Sequence, residues 1–245
     1  MVLEQNAVPG LTNRLAARFV DAAAVTFEAT RMFFGPKAFV SGNPVRPEFL
    51  ATVGSQKEST HDEQSSVVRV LVFGGSQGAH AINMAMVEAA PKLAASPLLR
   101  VTHQTGERDV EMVRSAYRQA GFPAVVEPFL FDMGRQLGEA DLVVCRAGAT
   151  TLAEITAAAK PAVLIPLPTA TDDHQRRNAE ALAAAGGAEV MLQNEVTGAS
   201  LADRILSLAR DGERRRRIAA AAQKVARPDA ARIIVDRALE LVGRA

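Results

Sequence analysis

No tryptophan occurs among the 245 residues, cysteine occurs once, and basic residues outnumber acidic ones only by 28 to 27. Each scarcity removes a class of function. A net charge of +1 gives no bulk field to draw in a polyanion, so nucleic acid is not an expected partner. With Cys145 alone, an internal disulfide framework and a cysteine-based zinc site are both excluded. Its place in an apolar run makes it a small buried hydrophobe rather than a reactive thiol. Met1 to Asn6 show neither the basic start nor the apolar stretch of a signal peptide. No apolar run approaches the ~18–20 residues that a membrane-spanning helix needs, so a soluble or at most peripheral protein is expected. A repeat of solenoid period is also lacking. What remains is the composition of an ordinary globular protein, 48% hydrophobic and 22% charged, long enough for one large domain or two small ones.

The pattern that is present is an alternation of short β-branched runs with helical periods, which predicts an α/β fold with a doubly wound parallel sheet. Val2-Leu3 reads as a strand end, Thr12 as the cap of a helix through Phe19, Ala23–Phe27 and Lys37–Ser41 as strands, and Ala29–Phe34 as a helical turn. Two prolines in Gly42–Pro47 predict a turn. Residues 52–66 are polar and almost without apolar anchors, as in a linker. Val67–Phe73 then reads as a central strand, followed by Gly74-Gly75-Ser76-Gln77-Gly78-Ala79 and a helix carrying Ile82, Met86 and Val87. A glycine turn between strand and helix suits an anion, because the helix's first N–H groups are free. The loop is neither a Walker A sequence nor the dinucleotide fingerprint. Further on, strands are expected at Val101–Gln104, Ala124–Glu127 and Glu189–Leu192, and helices at Asp109–Ala120, Asp132–Gly138, Ala202–Ala209, Glu213–Ala226 and Ala230–Val242.

Asp141 to Asn178 carries the most chemistry. The strand Leu142–Cys145, a break at Arg146–Ala149, a helix to Lys160 that Thr150 or Thr151 can cap, the strand Ala162–Ile165 and a Pro-rich loop make a βαβ unit. Ligands of such units lie beyond the carboxyl ends of the strands, where Thr150–Glu154 and Gln175–Asn178 fall. Thr151 and Glu154 fit a capping box as well as they fit a ribose site. Gln175 and Asn178, one turn apart, suit sugar hydroxyls, or else mark a helix start capped by Asp172 or Asp173. Asp172-Asp173-His174 is no metal site, because adjacent side chains diverge and no further ligand cluster stands at the required spacing. Arg214–Arg217 read as a solvated helix face. His103 stands alone in a strand, and His80 lies near enough to the glycine loop to meet a phosphate.

Taken together, Glu4-Gln5-Asn6 with Gly10-Leu11-Thr12-Asn13, Gly42-Asn43-Pro44-Val45-Arg46, Gly74–Ala79, Cys145-Arg146-Ala147-Gly148-Ala149 with Glu154, and His174-Gln175 with Asn178-Ala179 closely resemble the MurG family. The resemblance covers nearly the whole chain. It implies a two-domain GT-B-type glycosyltransferase that moves N-acetylglucosamine from UDP-N-acetylglucosamine to undecaprenyl-diphospho-N-acetylmuramoyl-pentapeptide, turning lipid I into lipid II for peptidoglycan. It further implies that Ser76 and the glycine-loop amides meet the diphosphate with Arg46 nearby, and that the Leu130 backbone reads the uracil. Ala149, Thr150, Thr151, Leu152, Ala153 and Glu154 would line sugar and ribose, Gln175 would hold the N-acetylglucosamine, and Asn6 would lie across the cleft. Neither metal nor cofactor is implied. The implied location is the cytoplasmic face of the bacterial inner membrane, as a peripheral protein.

Family members begin with another Gly-rich loop ending in His, which nothing here matches. The expectation is therefore a remnant of the N-terminal acceptor domain at 1–46, a UDP-sugar-binding domain at 47–227, and a helix at 228–245 that packs back towards the remnant. General base and membrane patch would be missing, leaving donor binding with little or no transfer. The rival reading is a non-catalytic UDP-N-acetylglucosamine-binding subunit that needs a separate acceptor-binding protein; a UDP-N-acetylglucosamine epimerase of the same architecture is the third.

Overall fold

The computed structural model describes residues 1–54, 67–75 and 78–243. Two parallel sheets organise them. The smaller has three strands in sequence order, β1 (Val2–Glu4), β2 (Ala23–Val25) and β3 (Ala38–Val40). Helix α1 (Leu11–Ala16) and 3-10 turns at Glu28–Phe33 and Gly35–Lys37 connect them. Ala23, Val25, Phe34 and Ala38 form its small core.

The larger sheet has six strands: β4 (Val68–Phe73), β5 (Leu99–Gln104), β6 (Ala124–Glu127), β7 (Leu142–Cys145), β8 (Ala162–Leu164) and β9 (Glu189–Val190). All pair in parallel, in the order β6-β5-β4-β7-β8-β9. The helices are α2 (Pro47–Gly54), α3 (His80–Ala94), α4 (Val110–Gln119), α5 (Met133–Glu139), α6 (Ala149–Ala157), α7 (His174–Ala184), α8 (Gly198–Arg210), α9 (Gly212–Val225) and α10 (Ala230–Val242). Strand β4 shows why both faces are covered. Val68, Val70 and Val72 enter the core under α3, α4 and α8, while Leu71 and Phe73 enter the core under α2, α5, α6 and α7.

From β4 the chain winds outward through β5 and β6, then returns to β7 on the other side and winds on through β8 and β9. The direction of winding reverses between β4 and β7, and the crevice beyond their carboxyl ends is where such sheets hold ligands. Gly74 and Gly75, at the end of β4, and the loop Arg146–Gly148, at the end of β7, open there.

Most expected elements form, with corrections at their starts. Thr12 does not cap α1, whose N-cap is Gly10, and neither Thr150 nor Thr151 caps α6, whose N-cap is Gly148. Asp173 is the N-cap of α7 but its carboxylate makes no capping bond, and both it and Asp172 adopt left-handed backbone. Pro47 does not extend the turn before it; it opens α2, because proline lacks only an N–H that the first helical position does not use. The expected linker falls largely outside the described residues. Among those residues no helix is long and apolar enough to cross a membrane.

Candidate functional site

Three helices start at the carboxyl edge of the large sheet with no side chain on their first amides. Ala79 caps α3, Gly148 caps α6 and Asp173 caps α7, none with a side-chain hydrogen bond. Uncapped amides beside a switch point form a site for a negatively charged or hydroxyl-rich ligand. Gly78, with φ at +75°, passes so close to the Thr105 carbonyl that a Cβ there would collide with it. Ser76, expected at the diphosphate, lies outside the described residues.

Glu154 is 7% exposed on α6. Its Oε1 accepts from Arg46 Nη2 at 3.0 Å and Nε at 3.3 Å, so a capping box with Thr151 does not form. Arg46 also meets Glu48 at 3.3 Å and stacks over the Phe49 ring. Burial raises the Glu154 pKa, while the Arg46 hydrogen bond and charge pull the other way. The segment Ala149–Glu154 does not present one face. Leu152 is buried in the core and, with Ala149 and Ala153, lines a cavity of about 410 Å³ beneath β3, whereas Thr150 approaches Asn43 and Glu154 holds Arg46. A helix that turns once every 3.6 residues cannot aim six successive side chains at one ligand.

Gln175 joins two strand ends. Its Oε1 accepts from the Ala147 N–H at 3.2 Å and the Leu167 N–H at 3.1 Å, leaving its Nε2 for a ligand. Leu130 is buried in the β6–α5 loop, with no main-chain hydrogen bond on its N–H or C=O among the described residues. Asn6 sits across the cleft. Its Oδ1 accepts from Asn178 Nδ2 at 3.1 Å, and Asn178 Oδ1 accepts from the Ala7 N–H at 2.8 Å. Arg14 and Asp172 face each other across the same gap at 3.6 Å.

The sequence assigned no role to four residues that shape the site: Glu4, Asn43, His174 and Arg146. Glu4, 2% exposed, accepts from the Asn6 and Gly10 amides and from the side chains of Asn6 and Asn13, which shapes the loop carrying Asn6. Its place in the quoted motif with Asn6, Gly10 and Asn13 is the signal that could have singled it out. Asn43 Oδ1 and His174 Nδ1 are buried without partners among the described residues, unusual for polar atoms in a folded protein. Arg146 donates to the Ile165 and Pro166 carbonyls and to Gln193, tying the ends of β7 and β8 together. The arginine run is not uniformly solvated: Arg215 donates to the last carbonyls of α8, at Leu208 and Ala209, and Arg214 pairs with Glu189. No group of three or more His, Cys, Asp or Glu side chains suited to a metal occurs among the described residues.

A doubly wound sheet with its ligand crevice facing a second, smaller parallel unit is the donor-side architecture of a GT-B-type glycosyltransferase. The sequence profile of the glycosyltransferase family 28 C-terminal domain matches residues 69–234. The chain belongs to that family and, within it, to the MurG enzymes. A relative from Pelobacter propionicus is 50% identical over 96% of this chain and 67% of its own length; one from an Anaeromyxobacter species is 49% identical over 99% and 63%. Both are named UDP-N-acetylglucosamine–N-acetylmuramyl-(pentapeptide) pyrophosphoryl-undecaprenol N-acetylglucosamine transferase. The crystal structure of Acinetobacter baumannii MurG superposes with a TM-score of 0.81 at 31% identity, over 96% of this chain and 66% of that one. The chain thus spans about two thirds of the length of the relatives it matches.

Proposed function

We propose that this chain binds UDP-N-acetylglucosamine in the crevice above β4 and β7 and supplies the donor side of transfer to undecaprenyl-diphospho-N-acetylmuramoyl-pentapeptide, as the names of its relatives describe. Residues 1–46 belong to the acceptor-side domain, 47–227 form the donor domain, and 228–245 are a helix returning towards the first. The reaction is placed at the cytoplasmic face of the bacterial inner membrane, with peripheral attachment. The observation that carries this reading is Glu154: a buried carboxylate, costly to ionise, kept at the crevice edge beside an arginine from the connecting segment.

In this reading the free amides of α3 and α6 and the loop residue Ser76 receive the diphosphate, with Arg46 close by. Glu154 accepts from the ribose hydroxyls, Leu130 meets the uracil through its main chain, and Gln175 donates to the sugar through Nε2. Thr150, Thr151 and the Ala149 amide border the sugar, with Asn6 opposite, while Leu152 and Ala153 support the helix from behind. The acceptor hydroxyl attacks the anomeric carbon from the side opposite UDP. The new C–O bond forms as the hydroxyl proton passes to a base of the acceptor side, the anomeric C–O bond to the β-phosphate breaks, and its electron pair leaves on the diphosphate. Fixed donors stabilise that charge without reorganisation.

Isothermal titration of the 245-residue chain with UDP-N-acetylglucosamine and UDP tests this. Binding is expected, and Glu154→Ala is expected to weaken it by ~1–3 kcal/mol through loss of a charged hydrogen-bond partner. Absence of binding by the unaltered chain overturns the assignment.

A further inference from the structure

His80 is the first residue of α3 and its side chain is 52% exposed. Its Nδ1 lies 2.9 Å from Oδ2 of Asp109, the residue that precedes α4. That carboxylate is buried, and its Oδ2 also accepts from Asn83 Nδ2 at 2.8 Å. Burial alone would raise the Asp109 pKa, but the hydrogen bonds from Asn83 and His80 and the charges of His80 and Arg108 leave it below its usual value. An ionised carboxylate only accepts, so the Nδ1 of His80 carries a hydrogen.

The bonds behind Asp109 all run in one direction. Asn83 donates also to the Thr105 carbonyl at 2.9 Å, which fixes its amide orientation and turns its Oδ1 to His103. His103 therefore donates through Nε2 and accepts from the Tyr117 hydroxyl at Nδ1, 2.8 Å away. Burial pushes the His103 pKa down to about 3, so this second imidazole is neutral and carries no charge towards the site. The result is a chain of donors from the core to Asp109, with His80 as the member that reaches solvent. Among the described residues its other nitrogen has no partner.

The surroundings favour an anion there. Ala79 offers no acceptor to the first amides of α3, and Gly78 presses the loop against Thr105 on the strand side. His80 meets Asp109, and the exposed Arg108 lies 3.9 Å from the same carboxylate, both residues coming from the segment leading into α4. The charged contacts α3 makes with α8, Glu88 with the Gly198 amide and Lys92 with Asp203, lie two turns or more along the helix.

We propose that His80, as the imidazolium, is a phosphate-contacting residue of the donor site: Asp109 accepts from its Nδ1–H, and its Nε2–H donates to the diphosphate beside the uncapped start of α3. The inference rests on the donor-site reading above. Titrations with UDP-N-acetylglucosamine, which carries the diphosphate, and with uridine, which has no phosphate, separate the two claims. His80→Gln should weaken UDP-N-acetylglucosamine binding on the order of tenfold while leaving uridine binding unchanged. His80→Arg should keep the affinity. Unchanged UDP-N-acetylglucosamine affinity in His80→Gln would overturn the inference, as would a loss shared equally by uridine, which marks a structural effect. If the unaltered chain binds uridine but discriminates nothing through phosphate, the inference alone falls; if it binds neither ligand, the donor-site reading falls with it.

Discussion

The Arg46 guanidinium and the Glu154 carboxylate occupy each other, with Nη2 3.0 Å from Oε1 and Nε 3.3 Å from the same oxygen. Resemblance assigns them to separate parts of one ligand, yet without that ligand each is the other's partner. A donor must therefore take Glu154 from Arg46 or share it. Arg46→Ala leaves a buried carboxylate beside Glu48 with its main compensating charge gone. Because Arg46 is largely exposed, solvent screening keeps the loss of stability small, about 1 kcal/mol, at neutral pH. Urea unfolding checks this, and an unchanged midpoint would mean that water replaces the guanidinium at no cost.

The same carboxylate makes a prediction about pH. Burial raises the folded-state pKa of Glu154 above the ordinary glutamate value, against the pull of Arg46. A raised acid binds its proton more tightly when folded, so its contribution to stability is fully present below the unfolded pKa and is lost as pH rises through the folded one. Relative to Glu154→Gln, which cannot titrate, the unaltered chain should gain stability as pH is lowered from neutral towards the acid range. Parallel unfolding curves at the two pH values give the comparison directly. A gain in the opposite direction would show that Arg46 outweighs burial.

Much of this site was legible as sequence, and the limits have physical causes. Runs such as Val68–Phe73 and Leu142–Cys145 announce buried parallel strands because both their faces must be apolar. The glycine turn after β4 announces a helix start open to an anion. Local rules failed where a residue type suits two positions. Thr12, Thr150 and Thr151 are good caps, but the glycines before them take the cap position, and Pro47 begins a helix instead of preventing one. The pairings Arg46–Glu154, Asn43–Thr150 and Ala7–Asn178 join residues more than a hundred positions apart, so no local window contains them.

Gln175 holds two roles that separate substitutions can divide. Its Oε1 serves the Ala147 and Leu167 amides, a structural task, and its Nε2, without a partner among the described residues, is the proposed sugar contact. Gln175→Ala removes the acceptor and should cost about 1–3 kcal/mol of stability, the usual penalty for amides left without a partner. Gln175→Glu keeps an acceptor and removes the donor. It should melt close to the unaltered chain yet lose the preference for UDP-N-acetylglucosamine over UDP. Thermal unfolding paired with calorimetry distinguishes the two variants. Retained preference in Gln175→Glu would remove Gln175 from the sugar site.

Asn178, fully buried, is the joint between the two parallel units. Its Oδ1 accepts from the Ala7 N–H, and its Nδ2 donates to Asn6 Oδ1 at 3.1 Å and to the Ala147 carbonyl at 3.4 Å. Asn178→Ala strands the Ala7 amide and should cost about 1–3 kcal/mol, with faster hydrogen exchange at that amide. Asn178→Asp keeps the acceptor for Ala7 but turns a second carboxylate oxygen towards Asn6 Oδ1 and the Ala147 carbonyl, neither of which can donate. Burial and those two acceptors both disfavour its charged form, so the folded state would hold the proton more tightly than the unfolded one. The aspartate variant should therefore be the less stable of the two at neutral pH, and should recover on acidification as the protonated carboxyl donates where the amide did. Urea unfolding of both variants across that range measures the crossing. If neither substitution changes stability or Ala7 exchange, the contacts across the cleft are incidental, and the small unit is held in place by the chain through Arg46 instead.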